Sequence, residues 1–213
     1  MYGRVLERAD VLLLQVLLRD SRASAAQIAE VTGLPAQAIP GMVARMREAG
    51  IIGDMTTKPS LLSLNARSVL VLGRSGLSSL QGLRMALERN ENVAWMAIAT
   101  GGMAYVALHL REGADLEREV RRVASEAMMA QPKAMTRELF DHGRGGHAYT
   151  KDDMRILRAL YRDSNKDLEQ VAKETGVAVR KVRERFDLMA MKGALDFSVD
   201  FFPDNCDNLL AML

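Results

Sequence analysis

Arg180, Lys181 and Arg183 sit among Val179, Val182, Phe186 and Met189, apolar positions that recur at spacings of three, four and three. That spacing makes one buried helix stripe and turns the three cations away from it. An exposed cationic face near a helix N-terminus suits the major groove of duplex DNA, where Arg and Lys neutralise phosphates and fork onto guanine edges. Arg185 lies beside this face, within reach of a phosphate backbone. The alternative is a solvated helix whose cations balance Glu184 and Asp187. Other chemistry is poorly supplied. Cys206, alone in the chain, cannot form an intrachain disulfide, and a zinc site would need it plus the scattered His109, His142 and His147. No metal and no cofactor are expected. His142 and His147 lie in the glycine-rich run 141–147, where they are expected to be solvated, while His109 falls in an apolar strand and is expected to be a hydrogen-bonded structural histidine.

The cationic helix belongs to a repeated unit. A shift of 143 positions places Asp10 on Asp153, Leu14 on Leu157, Leu17 on Leu160 and Arg19-Asp20-Ser21 on Arg162-Asp163-Ser164. The same frame aligns Ala29 with Ala172, Thr32-Gly33 with Thr175-Gly176, Met46 with Met189 and Gly50 with Gly193. Each copy reads as three helices followed by extended chain. In the first, Leu13, Leu14, Leu17 and Leu18 open a helix, Ser24 to Val31 form a second, Gly33 supplies a turn, and a third runs to Glu48. Ile51 and Ile52 then lead into an expected short hairpin, which would complete a winged helix-turn-helix. A three-helix packing module without nucleic-acid contacts is the competing reading. The buried stripe persists in copy one as Ile39, Met42, Val43 and Met46, but Gln37, Ala38 and Pro40 replace the three cations. Pro40 requires either a late helix start or a kink.

Between the copies the periodicity changes. Ser68–Leu72, Val93–Ala99, Tyr105–Leu110 and Met135–Phe140 read as strands, with helices at Leu77–Leu87 and Ala114–Met129, the second ended by Pro132 and Lys133. The order βαββαβ predicts a ferredoxin-like layer, so the fold class is α+β, two winged helix-turn-helix modules flanking that domain. The expected boundaries are 1–60, 66–140, a linker at 141–149, 150–203, and a tail at 204–213 that is either plain tail or the start of a truncated second central domain. Charged residues at 26% and hydrophobic ones at 48% are the balance of a folding globular chain, not of a disordered one. Net charge of +2 makes the distribution of charge more informative than its sum. No run reaches the roughly 18 apolar residues of a membrane span, and the start lacks a signal-peptide core, so a cytoplasmic location is expected.

The run Asp153-Met154-Arg155-Ile156-Leu157-Arg158-Ala159-Leu160-Tyr161-Arg162-Asp163 and the equivalent Asp10–Asp20 frame with Arg22 resemble the leucine-responsive and asparagine-synthase regulator family, Lrp/AsnC. That resemblance covers nearly the whole chain. It implies a transcriptional regulator that binds double-stranded DNA as a dimer or higher homo-oligomer formed through βαββαβ sheets. It also implies an arginine in the third helix that is Arg185 here and Met42 in copy one. A small-molecule effector such as an amino acid is implied near a Gly-x-Tyr-Asp turn, with Gly101, Gly102, Met103 and Tyr105 as the candidate contacts. The matching stretch reads Gly101-Gly102-Met103-Ala104, without the family's Tyr and Asp. The expected function is non-enzymatic DNA binding led by Arg180, Lys181, Arg183 and Arg185. The rivals are an enzyme resembling siroheme decarboxylases on the same scaffold, and a protein-interaction adaptor that has lost DNA binding.

Overall fold

The computed structural model describes residues 5–137 and 146–206. In chain order its elements are α1 (Arg8–Arg19), α2 (Ala25–Thr32), α3 (Ile39–Glu48), β1 (Ile52–Pro59), β2 (Ala66–Ser75), α4 (Leu80–Leu87), β3 (Val93–Ala99), β4 (Met103–Arg111), α5 (Leu116–Glu126), β5 (Met129–Arg137), α6 (Lys151–Leu160), α7 (Leu168–Thr175), α8 (Val179–Met191) and β6 (Leu195–Phe201). Contacts divide the chain into two units. One joins Met1–Pro59 to Ala148–Leu213, and the other is Ser60–His147.

The first unit contains an N-terminal module, α1–α3 with β1, and a C-terminal module, α6–α8 with β6. Their local chemistry repeats at the 143-residue offset read from the sequence. Glu7 and Thr150 each open a capping box closed by the aspartate three residues on, Asp10 and Asp153. Ser24 and Asp167 cap α2 and α7. Gly33 and Gly176 end those helices at φ of 73° and 70°, left-handed values that glycine adopts without steric cost. Buried side chains follow the same frame, with Leu13, Leu17, Ile28, Ile39 and Met46 in one core and Ile156, Leu160, Val171, Val182 and Met189 in the other. Pro40 occupies the first turn of α3, after a single 3₁₀ turn at Ala36–Ala38, so the late start is the one realised and no kink is needed.

The expected local hairpin after Ile52 does not form. β1 instead pairs antiparallel with β6 of the other module, in a two-stranded sheet. Met55 opposes Val199 and Thr56 opposes Ser198. Adding 143 to 55 and 56 gives 198 and 199, so the offset converts each pair into the other and the ribbon has local two-fold pseudo-symmetry. Val199 and Phe201 pack into the N-terminal core. At the centre of the seam, Ser21 and Ser164 share a hydroxyl–hydroxyl hydrogen bond of 3.0 Å.

The second unit is an antiparallel sheet of order β3-β4-β2-β5, the ferredoxin-like arrangement. Val69, Val71, Val106 and Leu108 alternate onto one face and pack against Leu83 and Leu87 of α4 and Val123 of α5. Several boundaries differ from those read in the sequence, most of all around the end of α5 and the start of β5. α5 stops at Glu126, and β5 begins at Met129, carrying Pro132 inside it. Proline marks a helix stop by sequence pattern, yet here it lies on an edge strand in a bulge, where no ladder N–H is required. The register slips between Leu72 and Arg74 at that point. A Cβ on Gly73 would sit 3.2 Å from the Ala130 carbonyl oxygen, so glycine lets the bulged strand approach. Phe140 and His142 lie outside the described residues. His147, expected to be solvated, is buried, whereas His109 occupies an exposed position on β4 opposite Ser68.

Candidate nucleic-acid interface

α8 presents the cations. Gly176 turns the chain after α7, and Val182, Phe186 and Met189 bury the inner stripe of α8 against α6 and α7. Val179, read as part of that stripe, is 39% exposed because it is the first helical residue and precedes the packed turn. Arg180, Lys181 and Arg183 lie on exposed positions. The Arg180 side chain is 91% exposed and only loosely associated with Glu184, at 3.6 Å. Lys181 is 56% exposed and donates to Asp152 at 2.6 Å, a hydrogen bond that holds the Asp152 carboxyl below the ordinary aspartate range. Asp152 sits in the first turn of α6, so the sequence pattern of α8 alone does not reveal this partner.

Arg185 points elsewhere. Its Nε donates to Asp153 Oδ1 at 2.7 Å and its Nη2 to Asp153 Oδ2 at 2.5 Å, a bidentate pair with a fully buried carboxylate. These hydrogen bonds raise the Arg185 guanidinium above its already high ordinary pKa. The guanidinium therefore ties α8 to α6 instead of extending towards a ligand. In the N-terminal module Met42 stands at this position and is buried.

Residues 6–52 match the family described as winged helix-turn-helix DNA-binding. The match therefore falls on α1–α3 of the N-terminal module, whose outer face holds Gln37, Ala38 and Pro40 where α8 holds its cations. No curated protein matches the chain. Among solved structures, the siroheme decarboxylase NirDL in complex with an iron-uroporphyrin III analogue is similar at 14% identity and a TM-score of 0.52, over 90% of this chain and 65% of that one. The chain thus spans about two thirds of the length of that decarboxylase. An AsnC family transcriptional regulator from Agrobacterium tumefaciens is similar at 16% identity and a TM-score of 0.40, over 70% of this chain and 99% of that one. The Mycobacterium tuberculosis leucine response regulatory protein is similar at 16% identity and a TM-score of 0.38, over 64% and 95%. The decarboxylase similarity shows a shared fold.

The candidate effector residues adjoin one another in the second unit. Gly101 and Gly102, at φ of 77° and 76°, make the turn between β3 and β4. Met103 and Tyr105 follow on one side of β4, both half-buried. Among the described residues no group of three or more His, Cys, Asp or Glu side chains is placed to hold a metal ion. No helix among them is long and apolar enough to cross a membrane. Arg22 was legible only as the last residue of a helix-turn motif. It lies 4.8 Å above the Phe186 ring and 5.5 Å from that of Phe197, and it donates to the Ser164 carbonyl at 2.8 Å.

Proposed function

We propose that this protein is a transcriptional regulator that binds duplex DNA, with its C-terminal module acting as a second winged helix-turn-helix and α8 as the reading helix. The observation that carries the reading is the exposure of Arg180, Lys181 and Arg183 together on α8, in a module that repeats the geometry of the family-matched one. Arg180 and Arg183 supply charge to phosphates or guanine edges, and Lys181 exchanges Asp152 for a phosphate. Arg185 is a positioning residue that fixes the angle of α8 on α6. The N-terminal module contributes scaffold and the paired strand, since its α3 presents no comparable charge. The central sheet serves self-association, and Gly101, Gly102, Met103 and Tyr105 are the candidate effector contacts.

The test is duplex binding at two salt concentrations by the wild type and by the variant Arg180→Ala, Lys181→Ala, Arg183→Ala. Loss of binding with an unchanged circular-dichroism spectrum is expected. Any residual binding should have a shallower salt dependence, by about 0.9 in the log–log slope for each phosphate contact removed. Undiminished binding by this variant sinks the assignment of α8. The shared architecture with siroheme decarboxylase motivates a second reading, an enzyme acting on a tetrapyrrole. Titration with iron-uroporphyrin distinguishes it, because a saturable change in the Soret band is expected only for a tetrapyrrole binder.

A further inference from the structure

The two modules bury their common seam unequally. In the C-terminal module, the space beside α8 is filled by Arg22 from the other module, its guanidinium over Phe186 and Phe197. The 143-residue offset predicts an equivalent space beside α3, with Asn165 at the Arg22 position, Val43 at the Phe186 position and Asp54 at the Phe197 position. None of these reaches as far as its counterpart. A groove of about 310 Å³ remains there, walled by Ile28, Ile39, Val43 and Met55. The groove is open to solvent, and its volume stands at the lower edge of the range of small-molecule sites, about 300–1,000 Å³.

The polar groups define the ligand class. Asn165 and Ser21 line the groove but are already engaged, the Ser21 hydroxyl with Ser164 and the Asn165 amide N–H with Met55 Sδ, and Arg47 is the charged side chain among its lining residues. Arg47 is exposed and has no carboxylate partner among the described residues, whereas Arg121 and Arg122 of α5, Arg155 of α6 and Lys181 and Arg185 of α8 each have one. No acidic side chain lines the groove, and Asp54, at the Phe197-equivalent position, lies 4.0 Å from Arg162 instead, so an ammonium group entering the groove has no carboxylate among its lining residues. We infer that this groove, between the N-terminal module and Asn165 of the C-terminal module, is a binding site for a small monocarboxylate with a branched or ring-shaped apolar body. The body packs on Val43, Ile39 and Met55, and the carboxylate faces Arg47. The site lies apart from α8 and does not depend on the DNA-binding reading.

Methyl-labelled full-length chain titrated with 4-methylpentanoate, with neutral 4-methylpentanamide, and with leucine, which adds an ammonium to the same body, tests this by NMR. Saturable shifts of the Val43, Ile28, Ile39 and Met55 methyls with the carboxylate are expected, with binding about tenfold weaker for the other two probes. The double variant Val43→Phe, Asn165→Arg restores two of the three side chains that fill the other module's space, and should fill the groove and abolish the shifts at Ile28, Ile39 and Met55 while keeping the thermal midpoint. Arg47→Gln should leave the fold intact and weaken the carboxylate to the level of the amide. Absence of saturable shifts with the carboxylate at millimolar concentration overturns the site, as does their survival in the double variant. Equal binding of all three probes overturns the assigned ligand class.

Discussion

Asp153 is wholly buried and accepts both hydrogen bonds of the Arg185 fork, so the pair is maintained by geometry that neither partner achieves alone. Removing the guanidinium leaves a buried carboxylate that still accepts from the Thr150 N–H but has lost its counter-charge, a situation that costs about 3–5 kcal/mol. Arg185→Met is therefore expected to lower the unfolding free energy by that order in urea titrations. Arg185→Met combined with Asp153→Ala should recover part of the loss, because the double change removes the uncompensated charge as well as its partner. A variant that loses duplex binding without losing stability would instead make Arg185 a DNA contact. Asp152, one residue earlier, behaves differently. Its carboxyl is lowered by the hydrogen bond from Lys181, so the stabilisation from this exposed pair is present above the ordinary aspartate range and is lost as pH falls through the lowered value. Lys181→Met should return the Asp152 titration to the ordinary range when followed by carboxyl NMR. Saturation with duplex DNA should move it in the same upward direction if a phosphate takes Lys181.

The pairing of β1 with β6 carries the largest difference between pattern and structure at the scale of elements. Helices α1–α3 and α6–α8 were legible because caps, glycine turns and apolar spacing are local signals. β3 and β4 were legible because apolar runs flank Thr100-Gly101-Gly102, a turn that two positive-φ glycines close. Strand partnership is not local, and nothing in Ile52–Pro59 distinguishes a neighbouring partner from one more than a hundred residues away. The same limit hid Lys181–Asp152, whereas the exposure of Arg180 and Arg183 followed directly from the apolar stripe beside them. Pro132 misled for the opposite reason, since a residue that stops helices is equally at home in an edge-strand bulge. The crossed ribbon also makes a testable demand. Val199 belongs to β6 by sequence but to the N-terminal core by packing. Val199→Ala removes two buried methyls, an expected cost of about 2 kcal/mol. Hydrogen exchange should accelerate most in α1 and α3, and less in α7. Acceleration confined to α6–α8 would mean that the modules are energetically independent despite the shared ribbon.

Across the whole molecule, the N-terminal and C-terminal modules are already paired within one chain, so a second copy is not needed to supply the β1 partner. Any self-association must come from another surface, and the central sheet offers one. Trp95, Ala107, Leu70 and Met135 form one row across β3, β4, β2 and β5, in register with one another. Leu70 and Ala107 alternate with the residues that pack on α4 and α5, so the row lies on the opposite face of the sheet. Trp95 and Met135, at the two edges of the row, are 45% and 54% exposed, and between them Leu70 is half-buried and Ala107 buried. Because Trp95 is already solvent-accessible on an edge strand, Trp95→Glu should change the stability of a single chain by no more than about 0.5 kcal/mol. Placed in a self-complementary sheet-to-sheet interface, the same carboxylate meets its own symmetry mate and must lose its water. Sedimentation equilibrium should then show the wild type as a dimer or larger and the variant as a monomer with an unchanged melting temperature. If both sediment alike as dimers, the chain associates through a different face and the open side of the sheet must be covered by something other than its own copy.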